Sequence, residues 1–152
     1  MIATNHATTG ALIATAIDKP LLALPLALAS HFALDAIPHF GYPGHNGIGQ
    51  ALKYKASKVV AIADPLLLIC LVVLLWSSGV TGYIYLAALL AVAPDIEWLY
   101  DYFRFERSGK KSPSSWLAPF HKYIQWCERP WGIWVEAGWL TATGLLLIHI
   151  LR

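Results

Sequence analysis

Long apolar runs separated by short polar or Gly/Pro-rich breaks form the main pattern along this sequence. The first two runs, of 11 and 17 residues, are shorter than the roughly 20 residues that a helix needs to cross a bilayer, and the last three have 17 to 20 residues. Pro65 and Pro94 predict interruptions in the third and fourth runs. The pattern predicts an all-α integral membrane bundle of about five short or kinked transmembrane helices. The runs cover 7–17, 21–37, 59–76, 83–99 and 132–151.

The first two runs leave two topologies open. Asp18, Lys19 and Pro20 separate them, and Pro20 suits the first turn of a new helix because its missing N–H is not needed there. The two runs therefore form either a hairpin of short or tilted helices or one broken span. A hairpin brings His6 to the same side as His39, and a broken span places these residues on opposite sides.

The segment 116–128 has the spacing of an amphipathic helix rather than of a membrane span. Phe120 and Ile124 lie on its apolar side, and His121 and Gln125 line another side. Four of the seven tryptophans fall between 116 and 134, as is typical of an aromatic belt at a bilayer surface. The sequence therefore predicts one interfacial amphipathic helix here.

The composition also indicates a membrane protein. Hydrophobic residues make up 57% and charged residues 13% of the 152 residues, whereas a soluble domain carries about 25% charged residues. The length predicts a single domain over 1–152. Cys70 and Cys127 have no CxxC spacing, so we expect neither a disulfide framework nor a cysteine zinc site. Basic and aromatic residues are not interleaved as in nucleic-acid binding, so no nucleic-acid partner is expected.

The basic residues are distributed unevenly between the two sides of the predicted bundle. When the runs are threaded as five spans, nine of the 11 Lys and Arg residues fall on one side. Only Lys19 and Arg152 fall on the other side. By the positive-inside rule the side with nine basic residues is cytoplasmic. We therefore expect an integral protein of the inner or plasma membrane whose site faces the cytoplasm.

His31 and Asp35 form the most informative polar pair within the apolar runs. Residues four apart share one face of a helix and lie about 6 Å apart along its axis. Ionisable groups inside a membrane segment are functional by default, so a metal or catalytic site is the main interpretation. A satisfied polar pair in a helix bundle is the alternative. His39 lies at the next position of the same four-residue spacing, but Pro38 disfavours helical geometry at Ile37.

The threading collects most buried polar groups on the cytoplasmic side, where they form a candidate site for a divalent metal. Imidazole and carboxylate ligands without thiolate suit zinc, manganese or iron, and their number suffices for one or two ions. A bound cation would also offset the cost of about 2.5–3.5 kcal/mol for each carboxylate near the bilayer centre. The predicted ligands are His6, His31, Asp35, His39, Asp95 and His121.

Four further residues are candidates for catalysis. Asp64 and Glu136 are the candidate general bases. Capping of a kinked helix is the alternative for Asp64, and pairing with Arg129 is the alternative for Glu136. Lys122 or Arg129, both near the interfacial helix, is expected to hold the negative charge of a phosphate.

Three short patches carry a family resemblance: 5–11 (NHATTGA), 30–35 (SHFALD) and 92–97 (VAPDIE). They resemble segments of the membrane-bound metal-dependent hydrolases typified by the LexA-binding inner-membrane hydrolases. The His-Arg-x-x-Thr-His-Ser segment of that family is absent here, and SHxxxD precedes PD rather than following it. A fainter likeness, through the His-x-x-x-Asp pairing, is to zinc-dependent phospholipases C and related nucleases. It implies hydrolysis of a phosphoester.

Together these patterns predict a membrane-embedded metal-dependent hydrolase that cleaves a phosphoester or lipid headgroup bond at the cytoplasmic leaflet. The expected partners are membrane lipids, with a phosphorylated amphiphile as the substrate. The alternative is a non-enzymatic membrane module. It would be a metal-binding protein, a haem-binding protein with His6 and His31 as axial ligands, or an ion pathway.

Overall fold

The computed structural model describes residues 1–43, 47–110 and 117–152. Within these ranges the chain is mostly helical, as predicted. The elements in chain order are α1 (Ala3–Ala16), α2 (Pro20–Asp35), β1 (His39–Phe40), α3 (Ile48–Ala51), α4 (Lys55–Ser77), α5 (Gly82–Val92), α6 (Ile96–Arg104), α7 (Leu117–Ile124), β2 (Glu128–Arg129) and α8 (Gly132–Ile150).

Helix α1 lies at the centre of the bundle and packs against α2, α4, α5 and α8. Small residues on several faces of α1 explain this position because they let neighbouring helices approach closely. The approach is very close at Gly10, where a Cβ atom would lie 2.6 Å from the Ala87 carbonyl oxygen and 2.7 Å from Ala91 Cβ. Glycine is therefore required where α1 meets α5. The buried residues of α1 are Thr4, Asn5, His6, Ala7, Thr8, Thr9, Gly10, Ala11 and Ala14.

Three helical segments are long and apolar enough to cross a membrane: α4, Gly82–Ser108 and α8. Helix α2 is apolar but shorter. Large apolar side chains on the outer faces of α4 and α8 are exposed, for example Ile62, Ile69 and Leu145. Exposed apolar surface of this extent is typical of a helical bundle that faces lipid. The length and apolar character of these helices are thus compatible with the predicted membrane protein.

Helices α1 and α2 form an antiparallel hairpin rather than one broken span. The turn between them includes Lys19, and Pro20 occupies the first turn of α2 as predicted. His6 near the start of α1 meets Asp35 at the end of α2, with His6 Nε2 3.2 Å from Asp35 Oδ1. The hairpin therefore brings His6 to the same end of the bundle as His31.

The structure corrects three predicted boundaries. Helix α4 continues through Pro65, as transmembrane helices do where neighbouring groups satisfy the freed backbone. At Pro94 the chain forms the 3₁₀ turn Ala93–Asp95 and then continues as α6, beyond the predicted end at 99. The interfacial helix is shorter than 116–128, because α7 ends at Ile124 and the chain then reaches β2. Strand β2 pairs in parallel with β1, a contact that the sequence did not predict.

Candidate metal centre

Three elements bring His6, His31 and Asp95 together at one end of the bundle. His6 lies on α1, His31 on α2, and Asp95 in the 3₁₀ turn between α5 and α6. Each residue offers one ligand atom, and these three atoms all lie within 4.8 Å of one another. The side chains of both histidines are fully buried, whereas that of Asp95 is 21% exposed. The group is therefore compact enough to bind a metal and open to solvent on the Asp95 side.

Asp35 and Asp95 approach the two imidazoles through all four of their carboxylate oxygens. The Nε2 atoms of His6 and His31 lie 3.2 Å and 3.3 Å from the two oxygens of Asp35. The same Nε2 atoms lie 3.9 Å and 3.8 Å from the oxygens of Asp95. Metal–ligand bonds of about 2.0–2.2 Å in tetrahedral geometry place neighbouring ligand atoms about 3.4 Å apart. The four distances of 3.2–3.9 Å lie near this value.

The hydrogen bond between His31 and Ala91 fixes the orientation of the His31 ring. His31 Nδ1 lies 2.8 Å from the Ala91 carbonyl oxygen, which only accepts, so Nδ1 carries the proton. In the neutral ring Nε2 then presents a lone pair toward the two aspartates. Metal-ligating histidines typically make such a bond from the nitrogen that does not bind the metal.

His6 has an unusual hydrogen-bonding state for a fully buried residue. Its Nδ1 and Nε2 atoms are buried and make no well-aligned hydrogen bond with any residue that the structure describes, and Nε2 lies 3.2 Å from Asp35 Oδ1. The ring stacks on His31 with 4.1 Å between centroids. A buried polar atom without a hydrogen bond costs about 1–3 kcal/mol, so such atoms call for an explanation. A ligand at Nε2 would supply one.

Asp35 also receives contacts from two groups outside this cluster. The amino nitrogen of Met1 lies 2.6 Å from Asp35 Oδ1, and Gln125 Nε2 donates to Oδ2 at 3.1 Å. Gln125 was not among the predicted site residues. The signal for it was its place beside His121 on the polar side of the amphipathic segment, and its contact with Asp35 was not predictable without the tertiary structure.

Asp64 belongs to α4, but its side chain contacts the N-terminus of α1 instead of capping α4. Its two carboxylate oxygens accept hydrogen bonds of 2.9 Å from the backbone N–H groups of Ala3 and Thr4. The Thr4 hydroxyl donates to the Asp64 side chain and to its carbonyl oxygen. The first N–H groups of a helix have no partner within the helix, and a carboxylate there also interacts favourably with the helix dipole. Asp64 thus anchors α1 to α4.

Glu136 on α8 likewise binds backbone N–H groups. Its carboxylate oxygens accept hydrogen bonds from Ile2 N at 3.0 Å and from Phe40 N at 2.9 Å. The Glu136 side chain therefore ties α8 to the start of α1 and to β1. Arg129, the alternative partner predicted for Glu136, is exposed, and its Nη1 donates to the Glu128 carbonyl oxygen at 2.6 Å.

His39 lies outside the group of His6, His31 and Asp95. Its Nδ1 donates to the Ile37 carbonyl oxygen at 2.8 Å, and its Nε2 lies 3.9 Å from Glu128 Oε1 across the β1–β2 pair. The ring is buried, and burial lowers the pKa of His39 to about 4. His39 is therefore neutral at physiological pH. The side chains of His121 and Lys122 lie outside the described part of the chain.

Four acidic groups lie near the N-terminal end of α1. Asp35, Asp64 and Glu136 each contact one or more of the first four residues of the chain, and Asp95 lies beside His6. Two classes result. Asp35 and Asp95 face the imidazoles, whereas Asp64 and Glu136 bind backbone N–H groups.

Comparison of the chain with protein-family models, curated proteins and solved structures finds no match. The resemblance to membrane-bound metal-dependent hydrolases therefore stays a prediction from three short sequence patches. Two of these patches contain His31, Asp35 and Asp95, and the third contains His6.

Proposed function

We propose that this protein is an integral membrane, metal-dependent hydrolase that cleaves a phosphoester or lipid headgroup bond. The observation that carries the proposal is the group of His6, His31 and Asp95, whose ligand atoms lie within 4.8 Å of one another at one end of an apolar bundle. Two imidazoles and one carboxylate form the ligand set of many catalytic zinc sites, which leave a further position open to water.

The proposal places about five helices in the membrane, with the short α1 at the centre and the short α2 on the outside of the bundle. The uneven distribution of basic residues supports a cytoplasmic orientation of the site. Asp64 lies nine residues after the start of α4 at Lys55, which corresponds to about 14 Å along the helix. A site beside the start of α1 is therefore recessed by about this distance below the end of α4.

The donor chemistry favours zinc, with manganese or iron as the other candidates. His6, His31 and Asp95 would hold the ion. When bound, a divalent ion at such a site polarises a phosphoryl oxygen and lowers the pKa of a water ligand. The His31–Ala91 hydrogen bond would keep the His31 ring in the required orientation. The exposed edge of Asp95 gives water a route to the site.

Among the carboxylates, Asp35 is the best candidate for the general base. It lies next to both imidazoles, whereas Asp64 and Glu136 accept hydrogen bonds from backbone N–H groups of residues 2–4 and 40. Proximity to the two proposed ligands therefore favours Asp35 for this role. Arg129 is exposed on β2, which pairs with β1, and it remains a candidate for phosphate binding.

The test is hydrolysis by purified protein in liposomes that contain a panel of phospholipids and polyprenyl phosphates. We expect chelator-sensitive turnover that returns when zinc or manganese is added. Asp35→Asn is expected to abolish turnover while the protein stays folded, and Asp18→Asn, in the exposed turn before α2, serves as the control. Metal-loaded protein that hydrolyses no member of the panel would contradict the proposal.

A non-enzymatic metal-binding module is the second candidate, and the burial of the site favours it. The side chains of His6, His31 and Asp35 are fully buried, as in closed structural metal sites. Haem is a less suitable ligand, because the two imidazoles stack side by side and direct Nε2 toward the same carboxylates. Stoichiometric metal without turnover would favour this candidate.

A further inference from the structure

A groove of about 310 Å³ opens beside the candidate metal centre, between the end of α2 and α7. It is lined by Ala36, Tyr123, Ile124 and Trp126. Tyr123 is 81% exposed and Trp126 is 68% exposed. Exposed Tyr and Trp side chains next to an apolar bundle are typical of the membrane–water interface.

The groove and the centre share a wall. Ala36 directly follows Asp35, and Ile124 and Trp126 flank Gln125. Gln125 in turn donates a 3.1 Å hydrogen bond from its side-chain amide to Asp35 Oδ2. The contact between Gln125 and Asp35 therefore lies between the groove and the candidate centre.

Both sides of the groove are fixed by contacts elsewhere. The ring of Phe120 on α7 packs edge-on against Phe32 on α2, with centroids 5.5 Å apart. After the groove, the chain enters β2, which pairs with β1 next to the end of α2. The groove is thus a feature of the α2–α7 packing, and two independent contacts hold its walls in place.

We infer that this groove binds the hydrocarbon chain of a single-chain phosphorylated amphiphile whose headgroup reaches the candidate centre past Gln125. The headgroup assignment rests on the proposed function. The apolar and aromatic lining suits a hydrocarbon chain, and the volume lies at the lower end for ligand pockets, about 300–1,000 Å³. A cation held by His6, His31 and Asp95 would attract an anionic headgroup on the adjoining side.

The test is photo-crosslinking of liposome-embedded protein with dodecyl phosphate that carries a diazirine at the chain end. Peptide mass spectrometry then locates the adducts. We expect them to concentrate at 36 and 123–126. Adducts spread over exposed lipid-facing positions of α4, such as Leu66 and Ile69, without enrichment in the groove would overturn the inference.

Ala36→Phe fills the groove and is expected to lower the groove adducts about tenfold, the equivalent of about 1.4 kcal/mol. The matched control is Ala29→Phe, which adds the same group at an exposed position of α2 and should leave the adducts unchanged. If Ala36→Phe does not fold, Tyr123→Ala removes an exposed wall residue and should lower the same adducts. Equal adduct yields in the groove variant and the control would refute the inference.

Crosslinking does not depend on turnover, so the two proposals fail in different ways. Groove adducts without any hydrolysis would contradict the proposed function and leave the groove assignment standing. Hydrolysis with unchanged chain-length preference in Ala36→Phe would contradict the groove assignment alone. An equally strong signal from a diazirine-labelled diacyl phosphatidic acid would contradict the preference for a single chain.

Discussion

The Nδ1–H group of His31 donates a 2.8 Å hydrogen bond to the Ala91 carbonyl oxygen. Ala91 is also one of the residues that Gly10 approaches where α1 packs on α5. The direction of the His31 ring is therefore set by the packing of three helices, and not only by its partners in the site. Changes in helix packing should consequently alter the candidate metal centre.

Metal content should depend on residues from three separate elements. Replacing His6, His31 or Asp95 with Ala removes one proposed ligand, and loss of a ligand should cost more than the 10–100-fold in affinity that is typical of an outer-shell partner. Elemental analysis of purified protein measures the loss. His149→Ala, at an exposed position near the end of α8, should retain the wild-type content. Unchanged metal content in the three ligand variants would leave only a buried polar network.

Gly10→Ala should destabilise the bundle, because the added Cβ would lie 2.6 Å from the Ala87 carbonyl oxygen. Overpacking of this kind costs about 1–3 kcal/mol. Thermal unfolding in detergent measures the effect, and reduced metal affinity should accompany it through Ala91. Gly138→Ala is the matched control on α8, since its added Cβ would meet nothing within 4 Å. Equal stability of the two variants would contradict the close α1–α5 contact.

Asp64→Ala should reduce stability while metal binding is retained. The substitution removes the acceptor of the Ala3 and Thr4 backbone N–H groups, and loss of such a helix-terminal partner costs about 0.5–2 kcal/mol. The comparison is Asp18→Asn, an exposed acid in the turn before α2, whose effect should be small. If Asp64→Ala instead preserved stability and abolished hydrolysis, Asp64 would be a catalytic base, as the sequence first indicated.

His39 should make the protein less stable in mild acid. Its pKa falls from 6.5 in the unfolded chain to about 4 in the folded one. Between these values the unfolded chain binds a proton and the folded chain does not, so stability decreases as the pH falls through this range. The full shift corresponds to about 3 kcal/mol. His39→Gln should flatten the dependence of unfolding temperature on pH between 6.5 and 4, whereas His149→Gln should not. An unchanged slope in His39→Gln would contradict the burial of the neutral ring.

The two ends of α4 should lie on opposite sides of the membrane. Single cysteines at Lys55 and Ser77, both exposed, can be placed in a background without Cys70 and Cys127. By the positive-inside rule the Lys55 position should react only from the cytoplasmic side and the Ser77 position only from the other. Impermeant maleimide labelling of cells and inverted vesicles measures this. The reverse pattern would place the site on the outer side.

The sequence was sufficient to predict the mostly helical fold and the helices that are long and apolar enough to cross a membrane. Apolar runs need only local information, because every backbone group in a bilayer must be paired and a helix does this within one segment. The i, i+4 spacing of His31 and Asp35 also fixes their common face within a single helix. Proline also acts locally on the backbone, so the start of α2 at Pro20 and its end before Pro38 were predictable.

The tertiary structure decided which helices meet and what each carboxylate binds. Asp64 and Glu136 were predicted as bases; in the structure Asp64 accepts hydrogen bonds from the start of α1, and Glu136 accepts them from Ile2 and Phe40. The contact between Gln125 and Asp35 joins positions 90 residues apart. Such contacts depend on how small residues such as Gly10 let α1 sit inside the bundle, and spacing along the chain contains no measure of that packing.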